Sequence, residues 1–252
     1  MKNHHPDRPV VFIAGATGAI GYKLCLILRQ KGFTVYGMTR SIDKARFLQA
    51  IGVHSLIADI FDAERIKEII SEVAPDVVIH QLTDLPYGLQ PDLMQQARIR
   101  NAKIRKEGTY NLVQALTNTS CKLIVQSIAF AYLPDQPCYN EQTALDLNSV
   151  NPILKLNAEG INELEKQVQN SGLNHVILRY GKLYGEATGC VAAESCKIHV
   201  DAAAHAAYLA IEKGNGIYQI VEDEQQYMNI KAKTELGFEP DYRFYMGQVL
   251  NI

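Results

Sequence analysis

The sequence predicts an α/β protein with a doubly wound parallel sheet. Short apolar strands alternate with helical patterns five times between Val10 and Ser127, and this alternation builds a parallel sheet through right-handed crossovers. The chain has 252 residues, of which 47% are hydrophobic and 21% charged, as in an ordinary globular protein. At this length we expect a single domain over residues 1–252.

Charge and hydropathy exclude two classes of partner. The formal net charge is -2, whereas a nucleic-acid-binding protein needs a basic patch. Apolar runs such as 77–79 are too short to span a bilayer, and residues 1–9 lack the apolar centre of a signal peptide. We therefore expect a cytoplasmic protein with a small-molecule substrate.

The five cysteines are odd in number and scattered, which does not suit a disulfide framework. Cys190, Cys196 and His199 match no common zinc spacing, so buried or loop thiols in a reducing compartment are the better interpretation.

The first element is a strand, a tight turn and a helix in Val10 to Gly21, which reads V-V-F-I-A-G-A-T-G-A-I-G. Gly15 turns the chain, Gly18 lets the backbone approach a pyrophosphate, and Gly21 lets the helix pack closely. Glycines also suit an ordinary βα turn, but a position between a strand and a helix favours a phosphate site. The expected cofactor-binding residues here are Gly15, Ala16, Thr17, Gly18, Ala19, Ile20 and Gly21.

The second strand, Phe33 to Met38, ends in Thr39-Arg40-Ser41. An acidic residue at this place binds the 2′-hydroxyl of NAD, but a guanidinium suits the 2′-phosphate of NADP. Arg40 therefore favours NADP over NAD, with Ser41 and Lys44 as helpers; the alternative is a solvated loop arginine.

The third strand, Val53 to Ala58, closes at Asp59, which can accept a hydrogen bond from the adenine amino group. Asp62 then caps a helix from Ala63 to Val73. The fourth strand, Val77 to His80, continues into Gln81-Leu82-Thr83, whose position beyond a strand end would face the cofactor. We expect His80 to be a packed strand residue.

A helical stretch follows from Pro91 to Thr117. Its basic side chains are expected to form a solvated surface; they are Arg98, Arg100, Lys103, Arg105 and Lys106. The fifth strand, Lys122 to Gln126, ends at Ser127, and residues 128–150 form a loop long enough to suggest a function.

The second half of the chain continues the alternation. We expect a helix over 152–169, a strand over 176–178, an alanine-rich helix over 202–211 capped by Asp201, a strand over 216–221 and a closing helix over 225–236.

Several stretches together carry a family resemblance. They are Gly15-x-x-Gly18-x-x-Gly21, Asp59, His80-Gln81-Leu82-Thr83, Gly108-Thr109-x-Asn111-Leu112, Gln126-Ser127-Ile128-Ala129, Leu178-Arg179-Tyr180-Gly181 with Tyr184-Gly185, and Ile198-His199-Val200-Asp201. In this order they resemble the short-chain dehydrogenase/reductase superfamily in its extended or atypical branch, the NAD(P)-dependent epimerase/dehydratase family. The resemblance covers nearly the whole chain.

The resemblance implies a Rossmann-type domain with a reduced C-terminal substrate lobe, formed by residues of about 180–200 and 222–252. It also implies a homodimer paired through helices that flank the sheet. The cofactor would further contact Asp59, Ile60, Gln81, Leu82, Thr83, Ser127 and Lys155. In such enzymes the tyrosine of a Tyr-x-x-x-Lys pair acts as acid or base toward a substrate hydroxyl or carbonyl, and a serine polarises the oxygen of that same group. Ser127 matches the serine and Lys155 matches the lysine.

The chain departs from this pattern at Asn151, which stands four residues before Lys155 where the tyrosine is expected. Asparagine cannot release a side-chain proton near neutral pH. Another phenol can substitute, the chain can run different chemistry, or it can bind cofactor without turnover. The candidate phenols are Tyr132, Tyr139, Tyr180 and Tyr184.

A second departure is the short gap between Gly185 and Ile198, which leaves little surface to hold a nucleotide-sugar. The leading hypothesis is an oxidoreductase acting on a small carbonyl or alcohol. The alternative is a catalytically silent NADP-binding sensor or scaffold.

Overall fold

The computed structural model describes residues 8–244. Its strands are β1 Val10–Ala14, β2 Thr34–Thr39, β3 His54–Ile57, β4 Val77–His80, β5 Lys122–Ile128, β6 His175–Tyr180, β7 Lys182–Tyr184, β8 Lys197–His199 and β9 Gly216–Ile220. Its α-helices are α1 Ala19–Gln30, α2 Ile42–Ala50, α3 Ala63–Val73, α4 Pro91–Lys103, α5 Thr109–Ala115, α6 Pro152–Gln169 and α7 Val200–Glu212. Single turns of other helix types cover Tyr87–Leu89, Ile104–Gly108 and Ala232–Leu236.

Seven strands form one parallel sheet in the order β3-β2-β1-β4-β5-β6-β9, which confirms the predicted doubly wound fold. Ile13 of β1 pairs with Gly37 of β2 on one side and Ile79 of β4 on the other. The chain winds outward from β1 in one direction and from β4 in the other. A crevice therefore opens beyond the carboxyl ends of β1 and β4, where open α/β sheets bind ligands.

The core lies in two layers because alternate strand residues point to opposite faces of the sheet. Ile13 is buried with residues of α1 and α7. Its neighbour Phe12 is buried on the other face with Ile66 of α3 and Leu164 of α6. Both layers hold the strand ends, and with them the crevice, in fixed positions.

Two expected features of the C-terminal half are wrong. Asp201 is not the cap of α7: the ring Nδ1 of His199 accepts a hydrogen bond from the Asp201 amide at 3.2 Å, and the Asp201 carboxylate is buried instead. The closing helix is confined to the turn Ala232–Leu236 and the two residues before it. Tyr227 pairs with Tyr139 as a β-bridge, which holds the expected first turn in extended form.

The small strands β7 and β8 pair in parallel outside the main sheet. Residues 245–252 of the expected substrate lobe lie outside the described residues. Within residues 8–244, no helix has the length and apolar character needed to cross a membrane.

Candidate cofactor site

The turn between β1 and α1 requires two of its three glycines for folding. Gly15 has a φ of +92°, and a Cβ on it would lie 2.7 Å from the carbonyl carbon and oxygen of Gln81. A Cβ on Gly21 would lie 2.1 Å from the Gly15 carbonyl oxygen. These two glycines thus let the turn, α1 and the end of β4 come into direct backbone contact.

Gly18 is different, because the fold does not require a glycine there. Its φ of -76° and ψ of 171° suit any residue, and a Cβ would meet only the Gly15 carbonyl oxygen at an ordinary 3.4 Å. Gly18 is also the N-cap of α1 and offers no side chain to the helix, whose first turn contains no acidic residue. Within residues 8–244 the start of α1 therefore has no side-chain cap and no acidic neighbour in its first turn, an arrangement that fits a diphosphate.

Arg40 lies exposed at the carboxyl end of β2. Within residues 8–244 it forms neither an ion pair nor a side-chain hydrogen bond, so its guanidinium is available to a ligand. Ser41 caps α2 by accepting a hydrogen bond from the Lys44 amide at 3.4 Å. The Ser41 hydroxyl could bind a ligand only if it gave up this hydrogen bond to the Lys44 amide.

The third βα connection is organised by two aspartates. Asp59 accepts a hydrogen bond from the Phe61 amide at 3.0 Å, which fixes its carboxylate beyond β3, next to the buried Ile60. Asp62 accepts from the Arg65 amide at 3.0 Å, so its predicted role as a helix cap is confirmed.

The residues after β4 are held at the crevice by three side-chain hydrogen bonds. Gln81 Nε2 donates to the Tyr180 hydroxyl at 3.1 Å, and Gln126 Nε2 donates to the Leu82 carbonyl at 2.7 Å. His80 Nδ1 accepts from the Leu82 amide at 3.2 Å. Thr83 is exposed beside them.

His80 is buried, as predicted for a packed strand residue. Burial and the nearby charge of Arg105 lower its pKa to about 4. The ring is therefore neutral at physiological pH. Its Nε2 atom is buried and finds no hydrogen-bond partner within residues 8–244.

Ser127 lies in a buried network on the α6 side of the sheet. Its hydroxyl donates to Glu165 Oε1 at 2.7 Å. Arg179 binds both oxygens of the same carboxylate, through Nε at 2.8 Å and Nη2 at 2.7 Å. Each of the three residues is at most 4% exposed, so the serine hydroxyl is committed to a protein partner.

Three of the candidate phenols also have protein partners. Tyr132 donates to Gln219 Oε1 at 2.5 Å, and burial raises its pKa to about 12. The Tyr180 oxygen accepts from Gln81, and burial raises its pKa further. Tyr184 donates to Glu222 at 2.6 Å, and burial together with that contact raises its pKa. A raised pKa makes each phenol a poorer acid near neutral pH.

The fourth candidate, Tyr139, is buried in a stack of aromatic rings. Its ring centroid lies 5.4 Å from that of Tyr132 and 4.7 Å from that of Tyr227. This position is typical of a packing residue.

Asn151 begins helix α6. Its Oδ1 accepts from the amides of Ile153 at 2.9 Å and Leu154 at 3.3 Å, and Pro152 follows at the first helical position, as in many helix starts. Lys155 is half-exposed, and its Nζ lies 4.0 Å from Glu159. The position expected to carry the catalytic tyrosine thus holds a helix cap, one turn before the half-exposed Lys155.

Arg105 does not belong to the solvated basic surface that the sequence predicts. The prediction is wrong for this residue, because Arg105 is partly buried and its Nη1 donates to Asn157 Oδ1 of α6 at 2.6 Å. Burial lowers its pKa to about 10. Helical periodicity could not reveal this, because the π-helical turn Ile104–Gly108 adds a residue and changes the face on which the side chain lies.

The loop after β7 reaches across this region. The Gly88 amide donates to the Thr188 carbonyl at 3.0 Å, and Glu186 pairs with Lys23 of α1 at 2.5 Å. The loop thereby links α1, which carries the phosphate turn, to the loop that follows β4.

These features define the class of Rossmann-fold proteins that bind a nicotinamide dinucleotide. The profile of the NAD dependent epimerase/dehydratase family matches residues 11–207, and the chain belongs to that family.

Two curated proteins illustrate the relationship. The chain is 33% identical to a 3-diazoavenalumate denitrifying reductase from a Streptomyces species, over 91% of this chain and 82% of that protein. It is 26% identical to an uncharacterised chloroplastic protein of Arabidopsis thaliana, over 69% of this chain and 59% of that protein.

Solved structures show the same fold. The UDP-glucose 4-epimerase of Thermus thermophilus, solved with NAD, superposes with a TM-score of 0.72 at 20% identity over 93% of this chain and 95% of that one. WbmH of Bordetella bronchiseptica, solved with NAD+, superposes with a TM-score of 0.70 at 20% identity over 86% of this chain and 76% of that one.

The family and the reductase relative make this chain an NAD(P)-binding protein of the oxidoreductase and epimerase type. They give no support to the silent sensor or scaffold.

Proposed function

We propose that the protein is an NADPH-dependent reductase that reduces a small electrophile without a proton from a tyrosine. The observation that carries this proposal is the use of Asn151 as a helix cap, together with the engagement of Tyr132, Tyr180 and Tyr184 by protein partners. Reduction of a carbonyl leaves an alkoxide that needs a proton, and these groups are poorly suited to supply it. The chain therefore favours an acceptor whose product needs none.

An aryl diazonium is such an acceptor, and the reductase relative is named for the removal of nitrogen from a diazo compound. Bound NADPH would supply a hydride, which forms the new C–H bond of the arene while dinitrogen leaves with the electron pair of the C–N bond. The protein's part is to bind the two reactants, orient them and exclude water.

Different residues of this chain would contact different parts of the cofactor. We assign the diphosphate to the turn over 15–21 and the adenine to Asp59 and Ile60. We assign the adenosine ribose to Gln81, Leu82 and Thr83, and the nicotinamide ribose to Lys155. The charge and exposure of Arg40 support NADP as the preferred form. Ser127 and the three tyrosines hold the loop 129–146 and the strand ends in place rather than acting on substrate.

The test compares two acceptor classes in the presence of NADPH. We expect benzenediazonium to drive NADPH oxidation with one dinitrogen released per NADPH, and aromatic aldehydes to react at least tenfold more slowly. Aldehyde reduction at an equal or higher rate would overturn the proposal and return a phenol to the acid role.

Substitutions at Asn151 separate the cap from the chemistry. Asn151→Asp keeps a good N-cap, whereas Asn151→Tyr loses it, at a cost of about 1 kcal/mol, and introduces the phenol. We expect both variants to reduce the diazonium within a fewfold of the parent rate. A large gain in diazonium reduction by Asn151→Tyr alone would show that the reaction does need a phenol.

We further propose a cytoplasmic homodimer that pairs through α4 and α6. All five cysteines are free thiols, which suits a reducing compartment. Ile99 and Leu154 are about half-exposed on these two helices. Light scattering after gel filtration tests the dimer, and Ile99→Asp should convert it to a monomer; an unchanged mass would place the contact elsewhere.

A further inference from the structure

We infer that Arg105 binds a carboxylate of the substrate at the carboxyl ends of β4 and β5. This inference rests on the proposed reductase function and names the class of electrophile that the site accepts.

The first support is the position of the guanidinium. Arg105 Nη1 donates to Asn157, which lies on α6 two residues beyond Lys155. The Arg105 charge also lowers the pKa of His80, the last residue of β4. Arg105 also feels the charge of Glu165, the partner of Ser127 near the end of β5. The guanidinium is thus held against the first half of α6 and is near enough to the end of β4 for its charge to act on His80.

The second support is the local balance of charge. Two arginines, Arg105 and Arg179, share this region with the carboxylate of Glu165. Both oxygens of that carboxylate are bound by Arg179, and one also accepts from Ser127. Between residues 8 and 244, no carboxylate lies within 4.0 Å of Arg105. A partly buried positive charge with no carboxylate in ion-pair contact is costly, and a ligand anion would reduce that cost.

The third support is the donor geometry. Asn157 occupies Nη1, while Nε and Nη2 have no hydrogen-bond partner in the described chain. Those two N–H groups form one edge of the planar guanidinium, and that edge matches the two oxygens of a carboxylate. The other anions of the complex, the cofactor phosphates, are assigned to the turn at Gly18 and to Arg40.

The experiment compares 4-carboxybenzenediazonium with its methyl ester in the holoenzyme. We expect kcat/KM for the acid to exceed that for the ester by about tenfold or more, since a charge-assisted pair is lost in the ester. Arg105→Met should abolish this preference by slowing the acid alone, and Arg105→Lys should keep part of it. Lys106→Met, which removes an exposed charge from the next residue, should behave like the parent protein.

NADPH affinity, measured by fluorescence titration, distinguishes the inference from a general loss of structure. It should stay within twofold of the parent value in every variant. Equal kcat/KM for acid and ester in the parent protein would overturn the inference, as would an equal loss for both in Arg105→Met or a loss confined to NADPH binding.

Failure of the reductase proposal remains distinguishable. If the parent protein turns over neither diazonium, calorimetry of benzoate and methyl benzoate binding to the NADP+ complex decides the role of Arg105. Benzoate should bind at least tenfold more tightly to the parent protein than to Arg105→Met, and the ester should bind both alike. Equal benzoate affinity would refute the anion site.

Discussion

Gly18→Ala should separate cofactor binding from folding, because the three glycines of the turn meet different surroundings. The new methyl group would lie 3.4 Å from the Gly15 carbonyl oxygen, with backbone angles that alanine readily adopts. We therefore expect the free energy of unfolding to change by less than about 1 kcal/mol. The methyl would occupy the space that we propose for a phosphate at the first amides of α1.

The loss in binding can be sized from that geometry. One charge-assisted hydrogen bond contributes about 1.5 to 3 kcal/mol, so the Kd for NADPH should rise about tenfold to a hundredfold. Gly18→Val should weaken binding still more. Isothermal titration calorimetry gives the affinity, and urea unfolding gives the stability.

Two matched variants complete the experiment. Gly21→Ala would place a Cβ 2.1 Å from the Gly15 carbonyl oxygen and should destabilise the fold. Gly32→Ala, at a φ of +80° with open space around it, should cost about 1 kcal/mol of stability but leave NADPH affinity unchanged. Binding of NADPH to Gly18→Ala within twofold of the parent value would refute the phosphate site.

Three further outcomes follow from other contacts. Arg40→Asp should shift the preference from NADP toward NAD, as ratios of Kd values will show; unchanged ratios would remove Arg40 from the ribose site. Glu165→Gln leaves Arg179 buried without its carboxylate, so it should lower stability by about 3 kcal/mol or more. The midpoint temperature of thermal unfolding should then fall by about 6 °C or more. Glu159 is half-exposed, so Glu159→Gln should have almost the same midpoint as the parent protein. The depressed pKa of His80 means that the unfolded chain binds a proton the folded chain refuses. The stability that the neutral His80 ring contributes is fully present above the ordinary histidine pKa near 6.5. As the pH falls toward about 4, the free energy of unfolding decreases by about 1.4 kcal/mol per pH unit. Urea unfolding across this range should show a shallower loss in His80→Asn, and equal slopes would contradict the neutral buried ring.

Sequence patterns located most elements because their signals are local. The helices Ala63–Val73 and Pro152–Gln169 begin and end as predicted, since each has a capping residue and an apolar stripe within a few positions. Gly15 likewise predicted a turn, because glycine adopts a positive φ, here +92°, without the strain that a side chain would add.

Residues whose role depends on distant segments were beyond the sequence. Asp201 is a good cap by type, yet its carboxylate pairs with Lys23 across two packed helices. Ser127 marks a strand end, but only the packing of α6 shows that its hydroxyl is bound by Glu165.

The primary structure by itself predicted the parallel sheet, which the structure confirms, and it located the glycine-rich turn and Asn151, since alternation, glycine spacing and residue identity can be read along the chain. The tertiary structure alone decided where Arg105 lies and which charges it meets. A π-helical turn sets its direction, and its neighbours come from two other elements, His80 from β4 and both Asn157 and Glu165 from α6. Burial and charge balance are sums over residues that only folding brings together, so no local pattern could report them.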